Sequence, residues 1–322
     1  MLPTLPVNVI GLPASVQWCY PSGSFVGYQG SQKVPLTVTR ATTQTYLDGS
    51  GVLQTCPAGT LVVGPLGAEV YAAGTQLYPT PAAPAAGTVT VTATGAHIFW
   101  VVGAGSQAIS LGTATGTGFP CTATAASPCN AISITATGTL TLAAVTGSLT
   151  RAQVETGTYA TPFIAALGTR NATVASIPLA NLHTTNTWCI GATLTPARSW
   201  AAVRSFPVNT GGATNFMQFD VYTDGRIYFG VGDGTGTVRQ TNWLHGFASG
   251  SSHRLVGCNA NGTVTLYADG ASVQTVSTGG TGAWTATQAQ LFIGSGGGGT
   301  FSLDGAISKV KIYPNQAYLA GM

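Results

Sequence analysis

The acids limit what chemistry this chain can do. Its 322 residues hold only two glutamates, Glu69 and Glu155, and six aspartates, Asp48, Asp220, Asp224, Asp233, Asp269 and Asp304. Retaining hydrolysis of a glycoside needs two carboxyl groups about 5 Å apart. A strand motif such as ExDxxE would mark such a pair, and the sequence has none. A serine nucleophile lacks support as well: there is no GxSxG string and no histidine visibly oriented by an acid. The four histidines (His97, His183, His245 and His253) are scattered, and no CxxC accompanies them, so a zinc site is not expected. The glycine run Gly294–Gly299 lacks the GK[ST] ending of a phosphate loop. These absences predict a protein with no catalytic residues.

Binding chemistry is better represented. A sugar site needs an exposed aromatic platform with polar neighbours. Trp200, Trp243 and Trp284 stand in loop-like strings (ARSWAAV, QTNWLHG, TGAWTAT) and are the candidate platforms, with core or interface packing as the competing role. Trp188 alternates with Ile190 and Leu194 and reads as core. Glu155 lies in RAQVETGTYATPFI (Arg151–Ile164), and Glu69 in GPLGAEVYAAGTQLYP. In so uncharged a chain, both read as structural hydrogen-bond acceptors at a seam between strands or domains, with Glu155 holding backbone or Arg151. Cys121 and Cys129 lie in a Pro-bounded string, FPCTATAASPCN. The spacing admits a disulfide worth about 2–3 kcal/mol, or two free, half-buried thiols.

The elements that must position these residues are strands. Charged residues make up 6% of the chain, against roughly 25% in an ordinary soluble domain, and mean hydropathy is +0.29. The apolar residues nevertheless come in short alternating runs. The longest, His97–Gly105, falls far short of the ~20 residues of a spanning helix, so no membrane insertion is expected. Net charge is +3 with lysines only at 33, 309 and 311. That leaves no basic stripe for nucleic acid. Weak charge repulsion points to residence in an assembly or to a hydroxyl-rich surface. The N-terminal string MLPTLPVNVIGLPASVQ lacks the n- and h-regions of a signal peptide.

The expected fold is all-β. Residues 1–35, punctuated by five prolines, read as an extended arm. Residues 36–168 carry short strands with regular turn clusters and read as a jelly-roll-like sandwich. Its first hairpin turns at Asp48-Gly49-Ser50-Gly51. Residues 165–176 read as a connector, and residues 169–322 as a second sandwich with hairpin turns at Asp224-Gly225, Asn261-Gly262 and Asp269-Gly270.

Three strings of the second sandwich, TWCIGATLTP (Thr187–Pro196), HRLVGCNANGTVTLYADG (His253–Gly270) and LFIGSGGGGTFSLDGAISKVKIY (Leu291–Tyr313), resemble the concanavalin A-like, laminin-G-like lectin fold. Three strings of the first, VTRATTQTYLDGSG (Val38–Gly51), PLGAEVYAAGTQL (Pro65–Leu77) and the Arg151–Ile164 string, are similar in kind and order to a module that precedes such lectin domains in bacteriophage tail and minor structural proteins. Gln76 stands where that module usually has asparagine. The resemblance implies a non-enzymatic virion protein: a fibre, spike, decoration or minor tail component on the particle surface. It would assemble with other virion proteins as a homo-oligomer, a trimer by analogy with fibres, and would display the lectin-like domain to host surface glycans. It also implies a rim calcium (Ca2+) site for which Asp220, Asp224 and Asp233 are the candidates, against the plainer role of turn aspartates bonding their own backbone. The alternatives are a bacterial carbohydrate-binding or glycan-degrading protein of the laminarinase-like fold, and a cement protein that binds no sugar.

Overall fold

The computed structural model describes residues 7–8, 18–21, 26–29, 32–47, 53–64, 67–178, 187–197, 205–211, 215–233, 238–244, 247–277, 290–296 and 302–313. Among them every regular element is a β-strand, and the sheets hold eleven, nine, eight and two strands. The composition explains this outcome: β-branched and aromatic residues alternate with Thr, Ser and Gly, which suits a pleated, half-buried surface.

The eleven- and eight-stranded sheets face each other across one apolar core. Trp188, Ile190, Ala192 and Leu194 point into it from strand Thr187–Pro196. Phe219 and Val221 enter from strand Asn215–Val221, and Ile227, Phe229 and Val231 from Arg226–Asp233. The period of two is that of a strand with one face inward. Each such side chain contributes about 1.5–3 kcal/mol when fully buried. Phe229 lies edge-on to Trp188, with centroids 5.9 Å apart. It also covers Gly257, where a Cβ would come within 2.2 Å of the Phe229 ring. On the other face of Thr187–Pro196, Cys189 is bonded to Cys258, its direct register partner on the neighbouring strand.

The nine-stranded sheet wraps a second core. Strand Gly95–Leu111 runs through it, with Thr146–Thr156 along one edge and Cys121–Thr124 and Cys129–Ala136 along the other. Phe99, Val101, Ile109, Ile132, Leu140 and Val154 fill the interior. Cys121 and Cys129 form a disulfide.

Strand pairing corrects the expected boundaries. Strand Thr37–Thr39 pairs with Val174–Pro178 in the eight-stranded sheet. Thr60–Gly64 and Gly67–Val70 join the eleven-stranded sheet, the latter against Gly305–Tyr313. Leu36, Val38, Leu61, Val63 and Val70 therefore belong to the core of the second sandwich, and the first sandwich begins near Gly74. The expected arm also supplies sheet strands: Val7 pairs with Ile312, and Trp18–Pro21 with Thr60–Gly64. The expected connector holds two strands, Gly168–Arg170 and Val174–Pro178, one in each sandwich. Local pattern identifies strands, but pairing partners lie as far apart as Val7 and Ile312 and leave no local mark.

The turns follow their chemistry in two of three cases. Asn261-Gly262 and Asp269-Gly270 carry positive φ at both residues, the pairing that matches strand twist. At Asp224-Gly225 only the glycine does. The Asp48–Gly51 turn lies outside the described residues, but its flanking strands pair as a hairpin, Leu47 with Leu53.

Candidate functional site

The three strings of the first half meet at one seam between the two sandwiches. The first supplies Arg40, Gln44 and Thr45, the second Glu69, Tyr71 and Gln76, and the third Gln153, Glu155, Thr161 and Phe163. Gln76 and Glu155 are register partners on adjacent strands. The Gln76 Oε1 accepts from the Tyr78 and Val154 amides at 3.0 and 3.1 Å, which fixes the strand entering the first sandwich.

Glu155 is fully buried. Its Oε1 accepts from the Thr161 amide at 2.8 Å and from Trp100 Nε1 at 3.2 Å, and its Oε2 accepts from the Thr161 hydroxyl at 2.6 Å. It therefore holds backbone, one of the two roles expected of it. The cation beside it is Arg170 and not Arg151. Arg170 is 1% exposed and donates to the Ala72 carbonyl at 2.8 Å and the Pro162 carbonyl at 3.0 Å. Gly74 makes room for both: a Cβ there would stand 3.3 Å from Glu155 Oε2 and 3.4 Å from Arg170 Nη2. A second buried guanidinium, Arg40, donates to Gln44 Oε1 at 2.9 Å and to the Pro57 carbonyl at 3.0 Å. Gln44 in turn reaches Glu69 Oε2 at 3.4 Å.

Burial sets the electrostatics. Loss of water pushes the Glu155 carboxyl above its ordinary value, opposed by its bonds from Thr161 and by Arg170. Burial holds the Arg170 guanidinium below its usual range, opposed chiefly by Glu155. Arg40 is lowered to about 10 by burial and then by Arg170. Tyr71 is pushed up by burial and then by Glu69.

Above this network a cavity of about 310 Å³ opens at the seam. Tyr46, Glu69, Tyr71, Trp100, Arg151 and Phe163 line it. Trp100 meets Phe163 edge-on at 6.2 Å, the Arg151 guanidinium lies over Phe163 at 5.6 Å, and Arg170 lies over Tyr71 at 5.6 Å. Glu155 does not reach the cavity; its partners Trp100 and Thr161 form the wall. A second cavity of about 400 Å³ shares Glu69 and Tyr71 and is otherwise lined by backbone-rich positions such as Gly64, Gly67 and Gly305.

The remaining expected site residues do not gather. Asp220 is buried in mid-strand opposite Tyr228. Asp224 is exposed at the tip of that hairpin, 3.2 Å from Arg226 Nε. Asp233 ends strand Arg226–Asp233, roughly 20 Å or more from Asp224 at the rise of a strand. The three cannot share one ion, so the calcium expectation for this trio is corrected. Among the described residues no three His, Cys, Asp or Glu side chains are grouped for a metal. Trp200 and Trp284 lie outside the described residues. Trp243 is half-buried, packs on the core and lies edge-on to Phe247 at 6.1 Å.

Sequence reasoning passed over Trp100, Arg170, Tyr71 and Phe163. A signal existed for Trp100. Phe99 and Val101 face the first core, so period two puts Trp100 and Val102 on the opposite face, toward the seam. Arg170 sits in a string without periodicity and had no comparable mark.

Residues 168–317 match the concanavalin A-like lectin/glucanases superfamily. This stretch is a concanavalin A-like lectin/glucanase domain. No curated protein sequence matches the chain. Solved structures to which the chain is similar include the receptor-binding domain of botulinum neurotoxin D, at 10% identity and TM-score 0.35, covering 46% of this chain and 39% of that one. An HCR/D F1240A mutant is similar at 10% identity and TM-score 0.38, with the same coverage. The CBM40 of a Ruminococcus gnavus IT-sialidase, solved with alpha2,3 sialyllactose, is similar at 11% identity and TM-score 0.35, covering 42% of this chain and 80% of that one. The match spans about two fifths of the length of the neurotoxin chains.

Proposed function

We propose that this chain is a non-enzymatic surface component of a bacteriophage virion, and that it binds host glycan. The observation that carries the reading is the meeting of three ordered strings, Val38–Gly51, Pro65–Leu77 and Arg151–Ile164, at one hydrogen-bonded seam beside a concanavalin A-like domain. Strings that resemble a phage module at three separated places act here as one structural unit, which supports a shared origin over chance likeness. The superfamily holds lectins and glucanases, and the carboxylates favour the lectin side. Hydrolysis needs two acids flanking the scissile bond. Glu155 is sealed from solvent and engaged by three donors, Asp269 is held by His253 Nδ1 and the Arg254 amide, and Asp304 accepts from the Ala72 amide.

In this reading the first sandwich and the strands before it attach the chain to neighbouring virion proteins, and the chain assembles as a homo-oligomer. Mass spectrometry and imaging of purified particles test the placement: the chain is expected at the particle surface in stoichiometric amount, and its absence from intact particles would sink the virion assignment. Incubation of the purified protein with a polysaccharide panel tests the lack of catalysis, with no new reducing ends expected. Turnover abolished by changing one aspartate would replace this reading with the glycan-degrading one.

A further inference from the structure

The seam cavity has the construction of a small-molecule site. Its volume, about 310 Å³, lies at the lower end of the roughly 300–1,000 Å³ of such sites. That size suits one sugar ring. Four aromatic side chains, Tyr46, Tyr71, Trp100 and Phe163, line it, and aromatic rings suit packing against the C–H side of a pyranose. Glu69 and Arg151 line it as well, an acceptor-only group and a donor-only group of the kinds that sugar hydroxyls bond.

The walls are held before any ligand arrives. Trp100 is tied by its indole N–H to buried Glu155 and braced edge-on by Phe163. Phe163 lies beneath the Arg151 guanidinium, and Tyr71 beneath that of Arg170. Side chains already ordered lose little freedom on binding, which favours even a small ligand. The buried ionic network beneath the cavity thus acquires a purpose that fold stability alone does not require: it presets the aromatic wall.

We propose that this cavity binds one neutral pyranose residue of a glycan, so that a sugar contact lies at the seam. Neutrality follows from Glu69. A sugar carboxylate seated near Arg151 would share the small cavity with a second carboxylate, and like charges at short range in a partly buried site are costly.

The proposal rests on the glycan-binding reading, and its test separates the two. Saturation-transfer NMR of the full chain is run with the methyl glycosides of glucose, galactose, mannose and N-acetylglucosamine, and with 3′-sialyllactose as the charged probe. Two variants accompany the wild type. Val102→Phe plugs the cavity from a half-exposed position, and Tyr46→Ala removes one aromatic wall outside the Glu155 network. Thermal unfolding of each confirms that it folds. At least one neutral methyl glycoside is expected to bind the wild type, and both variants are expected to weaken it about tenfold or more. Undiminished binding by folded Val102→Phe would overturn the seam site while leaving the glycan-binding reading intact. Binding of sialyllactose alone would overturn the neutral assignment. No binding of any probe by the wild type would overturn this site, and a glycan array blank for the same protein would take the glycan-binding reading with it.

Discussion

The seam and the core of the second sandwich are both buried, yet they are held together by opposite means. The core is built from Trp188, Phe219, Phe229 and their aliphatic neighbours, and its fit depends on shape: a glycine at 257 leaves the space that the Phe229 ring fills. The seam is built from Glu155, Arg170, Arg40, Gln44 and Gln76, and its fit depends on paired donors and acceptors, with Arg170 Nε left unmet. Apolar packing is sensitive to volume but not to direction. A buried polar network is sensitive to direction, because each unmet group carries its full desolvation cost. Placing the ionic network at the junction fixes the two sandwiches in one arrangement and sets the aromatic side chains of the cavity, whereas the lectin core serves mainly to keep its two sheets together.

Breaking the seam is therefore expected to cost the most. Glu155→Ala removes the acceptor for three donors and leaves Arg170 buried beside a void. The expected loss is about 3–5 kcal/mol, the range for removing one partner of a buried charge pair, read from urea unfolding. A loss below about 1 kcal/mol, typical of an exposed pair, would mean that the seam is wet and the contrast with the core false. Gly257→Ala tests the other side. The new methyl would meet the Phe229 ring at 2.2 Å, and overpacking of this kind costs about 1–3 kcal/mol. The Glu155 variant should also disturb the fluorescence of Trp100, while the Gly257 variant should act on Trp188. Trp243→Ala is the smaller change: it removes one edge-to-face contact with Phe247, for about 1 kcal/mol. Loss of sugar binding by a folded Trp243→Ala protein would return the platform role to the second sandwich.

Much of this architecture was legible in the sequence where the physics is local. Alternation marked the strands, and Asn261-Gly262 and Asp269-Gly270 marked hairpins by the one backbone geometry that suits their twist. The two glutamates stood out because so few charges surround them. What was not legible is nonlocal. Thr37–Thr39 and Gly67–Val70 look like strands of whatever follows them, but they pair with Val174–Pro178 and Gly305–Tyr313. Arg170 reads as a loop arginine because its partners, the carbonyls of Ala72 and Pro162, are backbone groups that every residue owns. Trp100 lay within reach of periodicity, since its neighbours Phe99 and Val101 take the core face.

The contrast can be sharpened further by pH, because the seam contains a buried acid with a shifted value. Burial raises the Glu155 carboxyl above its ordinary 4.5. The folded state therefore holds that proton more tightly than the unfolded chain does. By linkage, the stability contributed at this site is fully present below pH 4.5 and is lost as pH rises through the raised folded value. Glu155→Gln removes the titration while retaining one acceptor for the Trp100 and Thr161 donors. Wild type and Glu155→Gln should thus differ in slope: between neutral pH and the ordinary carboxylate range, acidification should raise the urea midpoint of the wild type relative to the variant. Arg170 pulls the other way by favouring the ionised acid, so the effect should be the smallest of the four. Parallel midpoints for the two proteins would show that Arg170 and the Thr161 donors cancel the cost of burial. A steeper fall of the wild type toward acid would show that they exceed it, and that the Glu155 charge stabilises the seam.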